Sequence, residues 1–290
     1  MGKIYLIYNP LSCSGKGKEQ AEKAEKFYKG EEIVYRDICA TTYNDIFAEI
    51  TSEDTVVICG GDGTLNHFVN DTVGISFSNS IFYYAAGTGN DFLRDIDYDP
   101  NDAPICVDKY IKNLPTVTVN GKKYRFLNNM GFGIDGYCCE MGDKMRAQNK
   151  GNINYTAIAI KGLLFHYKPT NATVIVDGKE YSYKKVWIAP TMKGRFYGGG
   201  MMPAPDQNRL NEDGTVSLAV LHGTSGFGTL MIFPSIFKGE LGKYTKHVAV
   251  HTGKNITVRF DSPRTAQIDG ETVTDVIEYT VEAGVTANVK

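Results

Sequence analysis

The stretch at residues 55–65 constrains the fold of this chain more than any other, because it joins a short apolar run to a cluster of glycines. The β-branched and apolar residues 55–59 predict a buried strand, and apolar residues recur at helical spacing from Leu65 onward. The glycines between them are Gly60, Gly61 and Gly63. Such a loop lets backbone N–H groups approach a phosphate closely, and the helix that follows adds the positive end of its dipole. The stretch therefore predicts a strand, a phosphate-binding loop and a helix.

A carboxylate, Asp62, stands among these glycines. Beside a phosphate it repels the ligand unless it has a chemical role, such as holding Mg²⁺ or accepting a proton from an attacking hydroxyl group. The alternative is a tight turn capped by the Asp62 side chain, since a glycine loop alone is weak evidence of function.

Two more polar loops containing glycine follow predicted strands, at residues 9–17 and 87–92. The first is not a Walker A loop, because Lys16 is followed by glycine rather than by Ser or Thr. Its hydroxyls, glycines and lysines suit a polyphosphate, and they suit a solvated basic loop equally well. In the second loop Asn90 is either a ligand contact or the N-cap of a helix. In a parallel sheet such loops meet at the carboxyl ends of the strands, where ligands bind.

The order of the predicted elements differs between the two halves of the chain. In the first half, helices alternate with strands at residues 4–8, 32–37, 55–59 and 81–86, which predicts an α/β domain with a doubly wound, mostly parallel sheet. In the second half, Asn-Gly and Asp-Gly turns predict hairpins of a mainly antiparallel β domain. We expect domains at residues 1–116 and 117–290. The last predicted strand, at residues 276–282, is left open to return to the first domain.

Composition argues against several classes of protein. A formal net charge of −2 argues against binding to nucleic acid. No apolar run is long enough to span a bilayer, so any membrane contact is expected to be peripheral. The six cysteines are scattered without metal-binding spacing, which indicates reduced thiols and a cytoplasmic location.

Three motifs stand in the order found in one family of kinases. They are Asn9-Pro10 with Ser14-Gly15-Lys16, then Gly60-Gly61-Asp62-Gly63-Thr64, then Gly87-Thr88-Gly89-Asn90-Asp91-Phe92 with Arg94. Together they resemble the signatures of the bacterial diacylglycerol kinase-type lipid kinase family, which is related to sphingosine kinases and NAD kinases. NAD kinases share the second motif but not the third. The resemblance implies an NAD kinase/diacylglycerol kinase-like fold, with a nucleotide-binding first domain and a lipid-binding second domain.

The resemblance also implies where the substrates bind. The expected ATP contacts are Asn9, Ser14, Gly15, Lys16, Gly60, Gly61, Gly63, Thr64, Gly87, Thr88, Asn90 and Asp91. Asp62 is the expected base for a lipid hydroxyl, and Asp135, in a segment similar to the family's, is expected to face the lipid head group. Glu271, in the late Asp-Gly-Glu motif, is expected to reach the Mg²⁺ of the nucleotide. The sequence leaves open whether Asp62 or Glu271 holds that ion.

A separate, structural Mg²⁺ is implied at Asp213, together with the backbone carbonyls of Leu210 and Thr215. The alternative is that Asp213 only forms a hairpin turn with the glycine after it. The chain departs from the family at His67, where the family often has glutamate, and this departure puts the role of that position in doubt.

The implied reaction is Mg²⁺-dependent transfer of the γ-phosphate of ATP to a lipid hydroxyl, with diacylglycerol or a related lipid as acceptor. The alternatives are an NAD kinase-like enzyme and a non-catalytic protein that binds nucleotide or lipid. Because the acceptor lies in a membrane, the chain is expected to work from the cytoplasm at the inner membrane face. The expected membrane contact is residues 227–237 with Lys238, Lys243 and Lys246, and Lys193 adding charge. A homodimer is left open.

Overall fold

The computed structural model describes residues 2–87, 89–148 and 153–284, and it describes Ser14 by its backbone alone. Thr88, one of the expected ATP contacts, lies outside the described residues, as does the side chain of Ser14. By its internal contacts the chain divides into two compact units, Met1–Asn113 and Leu114–Lys290.

The first unit is built around a mostly parallel sheet. Its strands are β1 (Ile4–Tyr8), β2 (Ile33–Asp37), β3 (Thr55–Gly60), β4 (Ile81–Ala85) and β5 (Ile105–Cys106). Its helices are α1 (Ser12–Gly15), α2 (Gly17–Glu22), α3 (Tyr43–Glu49), α4 (Asp62–Asp71), α5 (Asp91–Asp95) and α6 (Asp108–Ile111), with a 3₁₀ helix at Lys23–Phe27. The sheet order is β2-β1-β3-β4-β5, and only β5 runs antiparallel to its neighbour. The expected α/β architecture is therefore confirmed.

The centre of this sheet opens a crevice beside the predicted loops. Leu6 in β1 and Val57 and Ile58 in β3 are fully buried, as the apolar strands at the centre of a parallel sheet usually are. The strands that follow β1 and β3 in the chain lie on opposite sides of that pair. A crevice forms at such a switch point, outside the carboxyl ends of the strands. The loops after β1 and β3 therefore flank it.

The glycine stretch forms part of a helix rather than a long loop. α4 begins at Asp62 and not at Leu65, because the Gly61 carbonyl accepts hydrogen bonds from the N–H groups of Thr64 and Leu65. Asp62, Gly63 and Thr64 consequently lie in the first helical turn, so the loop itself is limited to the end of β3 and the cap.

The second unit is mainly antiparallel β. Its strands are β6 (Thr116–Val119), β7 (Lys122–Arg125), β8 (Asn129–Phe132), β9 (Thr170–Val176), β10 (Lys179–Ile188), β11 (Thr191–Met192), β12 (Val216–His222), β13 (Val248–Gly253), β14 (Asn255–Ile268) and β15 (Glu271–Glu282). The sheet order is β7-β6-β15-β14-β8-β11-β12-β10-β9, with β13 beside β12 and with β9 also paired to β14. The paired strands run antiparallel, as expected.

The last predicted strand, residues 276–282, does not return to the first unit. It is the end of β15, which pairs with β14 along one edge and with β6 along the other. Val276, Tyr279 and Val281 on this strand are fully buried in the core of the second unit. Burial of this apolar face holds the strand in the second unit.

Helices lie between the strands of the second unit. They are α7 (Ile134–Ala147), α8 (Tyr155–Lys161) continued by a π-helical turn (Gly162–His166), α9 (Gly226–Ile232) continued by a 3₁₀ helix (Phe233–Lys238), and a 3₁₀ turn at Leu241–Lys243. α7 follows Gly133, which has φ 128° and supplies no capping side chain that a sequence pattern would reveal. Across the described ranges, we find no helix with the length and apolar character needed to cross a membrane.

Candidate active site

The strands of the first unit end at one level, which brings their loops together. Tyr8 of β1 lies opposite Cys59 of β3, and Gly60 lies opposite Ala85 of β4. The thiol of Cys13, in the first loop, donates a hydrogen bond to the carbonyl of Ala86 in the third. The polar loops expected to bind a phosphate are thus neighbours at the crevice edge.

The second and third loops pass each other backbone to backbone. A Cβ atom added to Gly87 would lie 2.7 Å from the Cα atom of Gly61, and one added to Gly61 would lie 3.4 Å from the Cα atom of Gly87. A Cβ at Gly60 would collide with the side chain of Thr64. Close packing within the unit therefore requires glycine at Gly60 and Gly87, whereas a Cβ at Gly61 would nearly fit.

The carboxylate of Asp62 links these two loops through a hydrogen bond. Its Oδ2 atom accepts a hydrogen bond of 2.7 Å from the N–H group of Asp91, the first residue of α5. Beneath it, the hydroxyl of Tyr83 donates to the carbonyl of Gly60 at 3.0 Å. Burial raises the pKa of Tyr83, and the charge of Asp62 raises it further, so this phenol stays protonated. Asp62 is consequently held at the crevice edge in a fixed position.

Asn90 carries an acceptor that the described residues do not use. Its backbone is left-handed, with φ 48°, and it caps α5 without a side-chain hydrogen bond to the helix. The Oδ1 atom is buried and has no hydrogen-bond partner among the described residues. Because buried polar atoms are normally paired, this oxygen accepts a donor from outside the described residues.

The first loop is folded on itself around Asn9. The Oδ1 atom of Asn9 accepts from the N–H group of Leu11 at 2.9 Å, and its carbonyl accepts from the hydroxyl of Ser12 at 2.7 Å. A Cβ at Gly17 would collide with that same carbonyl. Lys16 remains exposed at the end of this loop. Asn9 therefore shapes the loop, while Lys16 is placed where a phosphate could reach it.

Asp135 lies in the second unit, buried in the first turn of α7. Its Oδ1 atom accepts from the N–H group of Gly136 at 2.9 Å, and its Oδ2 atom accepts from Nε2 of Gln267 at 3.4 Å. Burial outweighs both hydrogen bonds and raises the pKa of Asp135 to about 6. Beside it, Nδ2 of Asn129 is buried without a partner among the described residues. These three side chains surround Gly131, where a Cβ would collide with them.

In the predicted Asp-Gly-Glu motif, residues 269–271, Asp269 has a structural role and Glu271 is exposed. The carboxylate of Asp269 accepts from the N–H groups of Asn128 at 2.8 Å and Asn129 at 2.9 Å, and also from Leu127. Asp269 therefore fixes the start of β8. Glu271 follows the turn and is exposed at the start of β15.

Gln267 was not predicted from the sequence. It is 2% exposed, and besides donating to Asp135 it accepts the N–H group of Gly270 at 2.8 Å. It thereby links Asp135 to the turn that precedes Glu271. The sequence feature that could have identified Gln267 is its polar side chain between two apolar residues, Ala266 and Ile268, at the end of a strand.

Lys193 was expected to contribute surface charge, but it is 4% exposed. Burial and the neighbouring Arg209 lower the pKa of Lys193 to about 8. Arg209 is buried as well and donates to Oδ1 of Asn128 at 2.9 Å. These two cations belong to the interior of the second unit, beside the segment that Asp269 holds.

The loop around Asp213 does not fit the structural Mg²⁺ site that the resemblance implies. The carbonyl of Thr215 accepts from Nδ2 of Asn211 at 2.9 Å and from Nε2 of Gln207 at 3.1 Å, which uses both of its lone pairs. Asp213 and Leu210 are exposed. Side-chain amides, rather than a cation, close this loop.

The fold defines a two-unit protein with an α/β unit, in which three glycine-containing loops meet, and an antiparallel β unit. The model of the "Diacylglycerol kinase catalytic domain" matches residues 3–119, and that of the "YegS C-terminal NAD kinase beta sandwich-like domain" matches residues 128–284. The chain therefore belongs to the diacylglycerol kinase-type lipid kinase family, and it is a kinase.

Individual relatives agree with this assignment. The protein named diacylglycerol kinase from Mycobacterium tuberculosis is 27% identical over 275 residues, which is 91% of this chain and 86% of the relative. A solved structure of a diacylglycerol kinase from Bacillus anthracis superposes with a TM-score of 0.59 at 18% identity, over 97% of this chain and 94% of that one. The structural likeness supports the fold, and the sequence likeness supports the family.

Proposed function

We propose that this kinase transfers the γ-phosphate of ATP to the hydroxyl group of a membrane lipid, with diacylglycerol or a close relative as acceptor. The observation that carries the proposal is the junction at which Gly61 and Gly87 touch and Asp62 accepts the N–H group of Asp91. In this contact the carboxylate of Asp62 lies beside the backbone N–H groups at the start of α4. Phosphoryl transfer needs both groups, because backbone N–H groups bind the phosphate and a carboxylate can accept the proton. The name of the mycobacterial relative supports the acceptor.

ATP binds, in this proposal, along the crevice edge of the first unit. The N–H groups at the start of α4 and the ammonium group of Lys16 face its phosphates, and Asn90 supplies the acceptor for a donor group on the nucleotide. ATP arrives as its Mg²⁺ complex, and the ion neutralises phosphate charge. Apart from Asp62, the proposed role of the described residues of this unit is to cradle the phosphates.

Asp62 is the proposed base. A carboxylate offers about four lone-pair sites, so the hydrogen bond from Asp91 leaves capacity to take the proton of the lipid hydroxyl. Asp135 is proposed to orient the lipid head group, and Glu271 is proposed to reach the Mg²⁺ of the nucleotide. The enzyme would meet its acceptor from the cytoplasm, at the inner face of the membrane.

An acceptor panel tests the proposal against its alternatives. Purified protein and γ-labelled ATP are offered diacylglycerol in detergent micelles, sphingosine, NAD, or no acceptor. We expect label in the diacylglycerol fraction. Label in NAD would establish an NAD kinase-like enzyme, and no transfer to any acceptor would support a non-catalytic binding protein.

A further inference from the structure

Two helical segments of the second unit, the π-helical turn and α9 with the 3₁₀ helix that continues it, expose large apolar side chains. Phe165 of the π-helical turn is 76% exposed, Phe227 and Met231 of α9 are 66% and 65% exposed, and Phe237 of the following 3₁₀ helix is 51% exposed. Large apolar side chains exposed in a cluster commonly mark an interaction surface. We refer to Phe165, Phe227, Met231 and Phe237 as the aromatic surface.

The π-helical turn and the start of α9 pack against each other, so Phe165 and Phe227 lie on adjoining elements. A Cβ at Gly226 would collide with the carbonyl oxygen of Leu163, which brings the start of α9 onto the π-helical turn. Phe227 and Met231 are four residues apart and share one face of α9. Leu163 and Ile232 point inward and are buried in the core. The exposed residues are therefore additional to the apolar groups that the fold needs.

The chain segments that carry the aromatic surface are themselves basic, and the carboxylate nearest to Phe237 along the chain is that of Glu240. Residues 153–168 and 214–239 contain no Asp or Glu. Lys161, Lys168 and Lys238 are exposed there, and none of them forms an ion pair with a described carboxylate. Lys243, which the sequence analysis counted with the expected membrane contact, is instead neutralised by Glu240 at 2.6 Å.

We propose that the aromatic surface docks onto an anionic lipid bilayer, with Phe165 and Phe227 inserted among the head groups. The proposal rests on the proposed function, which supplies a bilayer-resident acceptor. Exposed aromatic and aliphatic side chains, in segments that carry lysines and no carboxylates, match the composition of an interface that binds anionic membranes peripherally. The exposed Lys161, Lys168 and Lys238 favour an anionic bilayer over a second copy of this chain, which would bring the same positive charges together.

The test is co-sedimentation of the full chain with phosphatidylcholine vesicles, with and without added phosphatidylglycerol, all free of ATP and diacylglycerol. The variant carries Phe165→Ser and Phe227→Ser. The matched control carries Val250→Ser and Ile277→Ser, whose side chains are 47% and 50% exposed elsewhere in the second unit. We expect the variant to lose about tenfold in binding to anionic vesicles while the control binds as wild type does. Unfolding temperatures verify that both are folded.

Unchanged vesicle binding in the Phe165→Ser/Phe227→Ser variant would overturn the docking surface. So would light scattering that shows a wild-type dimer, a monomeric variant and no vesicle binding by either, since that pattern assigns the surface to a homodimer. Kinase activity on micellar diacylglycerol, measured in parallel, separates the two proposals. Vesicle binding that depends on these residues, in a protein that phosphorylates no lipid, would support the docking surface and reject the proposed function.

Discussion

At the scale of single residues, two carboxylates of this kinase lie in the first turn of a helix and accept a backbone N–H group. Asp62 receives that group from Asp91 of the neighbouring loop, whereas Asp135 receives it from the adjacent Gly136 and is buried, with its pKa raised to about 6. Carboxylates in different environments commonly have different roles in catalysis. The proposed base is the one held at the phosphate loops, and the buried one is suited to holding a head group.

The raised pKa of Asp135 predicts how stability depends on pH. Because the folded pKa lies above that of an ordinary aspartate, stability is lost as the pH rises from about 4 to about 6, where the carboxyl group ionises in the unfolded chain but stays protonated in the folded one. Relative to the Asp135→Asn variant, the wild type should lose about 3 kcal/mol of stability between about pH 3 and pH 7, at roughly 1.4 kcal/mol for each unit of pKa shift. Denaturant unfolding at several pH values measures the difference. A difference that stays constant across this range would show that Asp135 has an ordinary pKa.

At the scale of elements, the contact between the two glycine loops should be sensitive to one methyl group. Gly87→Ala places a Cβ 2.7 Å from Gly61, so a loop must move, and we expect a stability loss of about 1–3 kcal/mol. Gly89→Ala, in the same loop, meets no atom within 4 Å and serves as the control. Thermal unfolding compares the two variants. Equal stability of both would mean that the loops do not touch as described.

The amide-closed loop at Thr215 leads to a second prediction at this scale. Asn211→Ala removes partners from both the N–H and the carbonyl of Thr215, and we expect it to cost about 1–3 kcal/mol. Asp213→Ala should leave the unfolding temperature unchanged, whether Mg²⁺ or a chelator is present. A Mg²⁺-dependent rise in that temperature, abolished by Asp213→Ala, would instead establish the cation site that the family resemblance implies.

The sequence identified elements whose signal is local. The apolar runs at β1, β3 and β4 and the glycines after β3 were readable because strand burial and loop chemistry leave patterns along the chain. Contacts between distant residues leave no such pattern. The hydrogen bond from Asp91 to Asp62 and the one from Gln267 to Asp135 each join residues that are far apart in the sequence. The amides that close the loop at Thr215 are nearer, but they leave no periodic pattern either. The sequence could therefore suggest these residues only through their motifs, or miss them.

At the scale of the whole molecule, each unit carries a different part of the proposed chemistry. The first unit holds the phosphate loops and Asp62, and the second holds Asp135, Glu271 and the aromatic surface. The family models divide the chain in the same order, at residues 3–119 and 128–284. In the proposed reaction, residues of the first unit bind the nucleotide and residues of the second unit bind the lipid.

The rate of γ-phosphate transfer from labelled ATP to micellar diacylglycerol, measured for Asp62→Asn, tests this account most directly. Asparagine can still accept the N–H group of Asp91, so the fold should be kept while the proton acceptor is lost, and we expect at least about a hundredfold fall in rate. Asp71→Asn, at the exposed far end of α4, is the matched control and should remain near the wild-type rate. A folded Asp62→Asn enzyme that transfers phosphate as fast as the wild type would contradict the central role given to Asp62.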